Sequence, residues 1–218
     1  LFMGVLFLGL FIAAAIILIP HFQKDPTCFD GEMNGDESGI DCGGSCQIVC
    51  TAEALRLITL WVRPFEVVPG KYNVVAYIEN QNRESGIPMM QYEFKLYDDK
   101  NIFIGRTSGT TFITSNDRTA VFAAGIETGN RVPKRATFEF TSAPTWIKVN
   151  REQKNAMAIS AEGKVLSNPL SEPKLEAEIV NKTLSEIKGL DVFAILYDEN
   201  DNVMTASKTV VDILPKNG

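Results

Sequence analysis

Three observations predict a mainly β chain in this 218-residue sequence. Apolar and polar residues alternate with period two from Leu55 onward, and the alternation breaks at Gly, Pro, Asn and Asp. A unit of about 100 residues recurs within the chain, the size of one β-sandwich. Ahead of it lie an uninterrupted apolar stretch and a knot of cysteines. The predicted order is an N-terminal transmembrane helix at 1–20, a disulfide-rich loop module at 21–51, and two tandem immunoglobulin-like β-sandwiches at 52–149 and 150–218, the second incomplete.

The apolar stretch LFMGVLFLGLFIAAAIILIP carries no charge from Leu1 to Ile19. About 20 helical residues cross a hydrocarbon core of roughly 30 Å. A cleaved signal peptide ends in small residues. Here Ala13, Ala14 and Ala15 sit mid-segment and the end is Ile-Leu-Ile-Pro, which reads as an uncleaved anchor. Beyond it, Lys24 is the single cation before an acidic run, so the rest of the chain is expected outside the cytoplasm. The reading is a single-pass cell-membrane protein with its bulk on the extracytoplasmic side.

Residues 28–50, CFDGEMNGDESGIDCGGSCQIVC, hold all 4 cysteines. Clustered cysteines in even number, in an oxidising compartment, predict disulfides among Cys28, Cys42, Cys46 and Cys50 in one of three connectivities. Structural zinc is the rival, but it favours C-x2–4-C pairs, and the spacing from Cys28 to Cys42 is long. The sole histidine, His21, lies at the membrane edge. No C-x-x-C is present, so thiol exchange has little support.

The same stretch carries five carboxylates and no lysine or arginine. The formal net charge of the whole chain is −6, of which −5 falls here, leaving 51–218 close to balance. Glycine-rich turns that aim short oxygen-bearing side chains inward suit calcium, which makes Asp30, Asn34, Asp36, Glu37 and Asp41 candidate calcium ligands, although the D-x-D-x-D-G order of an EF-hand is missing. The alternative is a solvated acidic loop held by disulfides. No other cofactor is implied. The pattern C-x-D-G-x-x-N-G-D-E-x-G-x-D-C-G-G-x-C resembles a cysteine-rich module of bacterial surface proteins that precedes β-sandwiches, and the resemblance implies an extracytoplasmic address.

In the body, residues 72–80, 91–98, 101–107, 119–126 and 135–140 read as strands. YIENQN at 77–82 recurs as EIVNKT at 178–183, and KLYDDKN at 95–101 recurs as ILYDEND at 195–201. TTFITSNDR at 110–118 then faces VVDILPKNG at 210–218. The second unit thus stops where the first continues with further strands. The expectation is a truncated sequence or a partner chain that donates the missing strand.

The string Phe94-Lys95-Leu96-Tyr97-Asp98 resembles the motif that names the FxLYD domains. In the second unit Leu196, Tyr197 and Asp198 remain while Ala194 replaces the phenylalanine. The resemblance implies small extracytoplasmic β-sandwiches in which Phe94, Leu96, Tyr97, Asp98, Leu196, Tyr197 and Asp198 are structural. The residues themselves agree. Tyr92, Phe94 and Leu96 share one strand face and are expected buried, while Asp98 and Asp198 sit where a strand enters a turn and can accept from backbone N–H groups two residues on. Trp61 and Trp146 are expected in core or interdomain packing.

Several function classes lose support. The body lacks histidine, which removes Ser-His-Asp and Cys-His arrangements. It has no phosphate-cradling glycine loop and no basic stripe for nucleic acid. Asp98 and Asp99 are adjacent and point to opposite faces of a strand, so they cannot flank one bond. Asn181-Lys182-Thr183 forms a glycosylation sequon, which carries no signal in a bacterial chain. The expected function is non-enzymatic: a membrane-anchored protein presenting sandwiches to an envelope protein partner. A calcium-dependent adhesion module and a non-catalytic part of a larger envelope enzyme are the alternatives.

Overall fold

The computed structural model describes residues 28–150, 159–169, 171 and 173–216. The expected transmembrane segment at 1–20 lies outside these residues. Among the described residues the chain is mainly β, with strands and turns but no helix, and none that is long and apolar enough to cross a membrane. The chain divides into two compact units between Glu53 and Ala54.

The second unit contains β1 (Ile58–Val68), β2 (Lys71–Asn80), β3 (Ser85–Tyr97), β4 (Phe103–Ile113), β5 (Asp117–Glu127), β6 (Arg135–Phe140), β7 (Ile147–Lys148), β8 (Ile159–Ser167), β9 (Lys174–Asn181), β10 (Ile187–Tyr197) and β11 (Val203–Leu214). All pairings are antiparallel. One sheet has the order β1-β2-β5 and another β4-β3-β6, with β7 also on β3; β8-β9 and β10-β11 are two-stranded.

The period-two expectation holds for β3. Tyr92, Phe94 and Leu96 are buried, the last two fully. Tyr92, Phe94, Phe138 and Phe140 form a chain of ring contacts with centroids 4.8–5.9 Å apart. Gly109 lies opposite Tyr92 in the β3-β4 ladder. A Cβ there would come within 2.7 Å of the tyrosine hydroxyl, so the glycine makes room for the ring. The opposite face of the same sheet is charged: Lys95 pairs with Glu93 and Glu139, and Arg106 with Glu93.

Strand β2 departs from simple alternation. Val74, Ala76 and Ile78 on one face are fully buried, but so is Val75 on the other. The second face is covered by the β10-β11 hairpin. Val75, Ala120 and Ala206 form a buried cluster, with Trp61, Phe65, Tyr77, Phe122, Phe193 and Ile195 packed around it. The Phe122 and Phe193 rings are 6.2 Å apart. Burial on both faces gives a near-continuous apolar run in place of strict alternation, which is what YNVVAYI spells. Trp61 therefore belongs to packing between the repeats, and Trp146 is buried at 3% exposure.

Expected strand limits shift, and one strand was not expected. The strand read at 101–107 begins at Phe103, because Asn101 takes a left-handed turn conformation with φ of 59°. Strand β1, which the alternation did not single out, contains Pro64. Proline lacks a backbone donor, and it is tolerated because β1 lies at the end of its sheet.

Candidate functional site

The cysteine module is the candidate site that chemistry singles out. Its three open connectivities resolve into Cys28–Cys46 and Cys42–Cys50, with Cα separations of 5.5 and 5.0 Å, and no free cysteine remains. The two bridges interleave along the chain. The longer one closes a loop of 18 residues, a constraint that stabilises by about 3 kcal/mol relative to an open chain. A segment this small cannot bury enough apolar surface to fold without such constraints.

Tight turns fill the loops between the bridges. Glu37 N–H donates to Asn34 C=O, Cys46 N–H to Gly43 C=O, and Gly43 N–H to Ile48 C=O. Gly44 has φ of +49°, and a Cβ on it would lie 2.0 Å from the Asp36 carbonyl oxygen. No side chain fits there.

The candidate calcium ligands turn out to be largely engaged with the module's own backbone. The Asp41 carboxylate accepts from Asp30 N–H at 3.0 Å and from Gly31 N–H at 3.1 Å. Asp30 accepts from Glu32 N–H and from the Asn34 side-chain amide. Asp36 accepts from the Ser45 hydroxyl. Glu37 is buried at 7% exposure and accepts from Asn34 N–H at 3.1 Å. Among the described residues, the sole group of three or more His, Cys, Asp or Glu ligand atoms within 4.8 Å of one another is Cys28, Glu37 and Cys46. Two of those atoms are the sulfurs of one disulfide, which offers no thiolate to a metal. Glu37 Oε1 lies 3.2 Å from Cys46 Sγ, a packing contact, since a disulfide sulfur has no proton to donate.

A second recurrent arrangement lies in the β unit, and its residues come from the repeat. The Asn80 side-chain amide donates to Ser85 C=O and Thr114 C=O, and its oxygen accepts from Asn82 N–H. The Asn181 amide likewise donates to Ser185 C=O and Pro215 C=O, and its oxygen accepts from Thr183 N–H. Both asparagines are buried, at 1% and 0% exposure. Each ties the end of one strand to the next strand and to the end of the strand after. Asn181 is thus a structural residue, and its buried amide is closed to the glycosylation that its sequon would suggest.

The expected Asp turns also recur. Asp98 Oδ1 accepts from Lys100 N–H and Ile102 N–H, while Asp198 Oδ1 accepts from Asn200 N–H and Asn202 N–H. Asn101 and Asp201 take the left-handed conformation in equivalent places. Hydrogen bonds from the Asn202 side chain, then from the Asn202 and Asn200 backbone, hold the Asp198 carboxyl below its usual range. On the charged face of the first repeat, hydrogen bonds to Glu139 and then Glu93 push Lys95 up to about 12. Of the remaining motif residues, Phe94 and Leu96 are buried, Leu196 is half-buried, and Tyr97 stacks beneath the Arg135 guanidinium at 4.4 Å. Tyr197 is 45% exposed; it lies close enough to Tyr77 of the first repeat to raise the latter's pKa, behind the larger effect of burial.

The buried asparagines were present in the aligned strings YIENQN and EIVNKT. Their role was missed because a strand-end asparagine reads first as a turn residue. Comparison with protein families, curated proteins and solved structures finds no match to this chain.

Proposed function

We propose that this chain is a non-enzymatic, membrane-anchored protein that presents tandem immunoglobulin-like β-sandwiches of FxLYD type on the extracytoplasmic side, for interaction with an envelope protein partner or for envelope structure. The apolar segment at 1–20 holds it in the membrane. The disulfide module spaces the sandwiches from the bilayer.

The observation that carries this reading is the recurrence of one β unit in two copies behind an oxidised cysteine knot. The knot requires a compartment that keeps disulfides formed. The recurrent residues, Asn80 with Asp98 and Asn181 with Asp198, are engaged with backbone and serve the scaffold.

A topology experiment on the full chain tests it. Alkaline phosphatase, which is active only when its own disulfides form outside the cytoplasm, is fused after residue 218. The expected result is an active fusion that stays in the membrane pellet after alkaline carbonate washing. An inactive fusion, or release by carbonate, would overturn the reading.

A further inference from the structure

The two bridges of the cysteine module are alike in exposure and unlike in what faces them. Each joins a half-buried cysteine to a buried one: Cys28 to Cys46, which is 1% exposed, and Cys42 to Cys50, which is 7% exposed. A thiol from solution therefore meets Cys28 Sγ or Cys42 Sγ first. The sulfur that must depart is then that of Cys46 or Cys50.

The Cys46 sulfur faces a carboxylate, with Glu37 Oε1 at 3.2 Å. The other carboxylate oxygen is held by the Asn34 N–H, and the side chain is buried, so it is fixed in place. The second bridge has no such neighbour. Among the described residues, no carboxylate oxygen lies within 4.8 Å of both Cys42 Sγ and Cys50 Sγ. The backbone of Gly39 lies against it instead, where a Cβ would come within 3.0 Å of each sulfur.

Exchange with an external thiol is slow when the departing sulfur is a poor thiolate. A thiolate released at Cys46 would be buried beside a carboxylate, and burial and like charge both disfavour it. A thiolate released at Cys50 meets neutral backbone.

We infer that the module is a redox site with one working bridge: small external thiols exchange at Cys42–Cys50, while Glu37 withholds Cys28–Cys46 from the same reaction. The thiolate attacks Cys42 Sγ and the S–S bond breaks. Its electron pair goes to Cys50 Sγ, which takes a proton from water. A second thiolate then attacks the mixed disulfide and releases Cys42 as a thiol. Two external thiols are oxidised to one disulfide, the bridge is reduced by two electrons, and Cys28–Cys46 still closes its loop. Loop length alone argues for the opposite order. Closing 18 residues costs more chain entropy than closing 8, so in an unfolded chain Cys28–Cys46 is the easier bridge to open. The inference stands on the module's own geometry, and its failure would leave the topology reading standing.

The test reads both bridges in one sample. Full chain purified without reductant is held in detergent with dithiothreitol, quenched by alkylation at intervals and mapped by mass spectrometry. Cys42 and Cys50 are expected to become alkylated at least about tenfold faster than Cys28 and Cys46. In guanidinium chloride the difference is expected to vanish or reverse. In Glu37→Gln the amide oxygen keeps the Asn34 N–H, which leaves the NH2 group facing Cys46 Sγ as a donor to the departing thiolate. That variant is expected to open Cys28–Cys46 about tenfold faster than the parent, with Cys42–Cys50 within about twofold. Equal rates for the two bridges in the folded parent, earlier opening of Cys28–Cys46, or a difference that persists in guanidinium chloride would each overturn the proposal. So would a Glu37→Gln chain in which Cys28–Cys46 opens no faster, or one in which both bridges accelerate together, the mark of a loosened module.

Discussion

At the residue scale, two side chains define the repeat. A buried asparagine satisfies carbonyls that the adjoining strand ends would otherwise leave without a donor, and its oxygen accepts from a backbone N–H two residues on. Leaving several such groups unpaired in the interior is costly. Asn80→Ala is therefore expected to destabilise the β unit by about 3 kcal/mol, read as a fall in the urea midpoint at unchanged slope. Asn181→Ala is expected to act in the same direction. An unfolding free energy within about 0.5 kcal/mol of the parent for Asn80→Ala would show that the asparagine is dispensable. The Asp turns were legible in sequence because the string Leu-Tyr-Asp followed by a polar turn occurs twice. The asparagines were visible as repeated letters, but their partners lie 34 residues along the chain, at Thr114 and Pro215. Periodicity does not reach that far.

At the scale of strands, the two copies diverge on one face. The outward side of β3 and β4 carries Glu93, Lys95 and Arg106 in ion pairs. The matching side of β10 and β11 carries Phe193, Ile195 and Ala206, packed on the first repeat. The exchange of charge for apolar surface is what joins the copies. Phe193→Ala is expected to cost about 2 kcal/mol, less than a fully buried phenylalanine because the ring is half-buried. Hydrogen exchange would show the loss concentrated in β10 and β11, with the β3 amides little changed. Equal loosening of β3 would contradict this division. The strands at 72–80 and 135–140 could be read directly from alternation. β1 could not, because Pro64 interrupts its pattern, and the second burial face of β2 could not, because it depends on a hairpin more than 100 residues away.

At the scale of the whole molecule, the cysteine module and the β unit depend on different physics. The first is held by two covalent bridges and backbone-capping carboxylates, the second by buried sheet faces. The stretch 28–50 announced its bridges through composition, while the pairing needed three-dimensional placement, since spacing admits three connectivities. Its acidity suggested a cation, and Asp30 and Asp41 also cap turns of the module itself. The central claim is that the chain carries an oxidised knot ahead of a repeated β scaffold. Non-reducing peptide mapping by mass spectrometry, on thiol-blocked full chain isolated from the cell without reductant, tests this most directly. The account predicts peptides linked Cys28–Cys46 and Cys42–Cys50 with no blocked thiol. Four alkylated cysteines would contradict it.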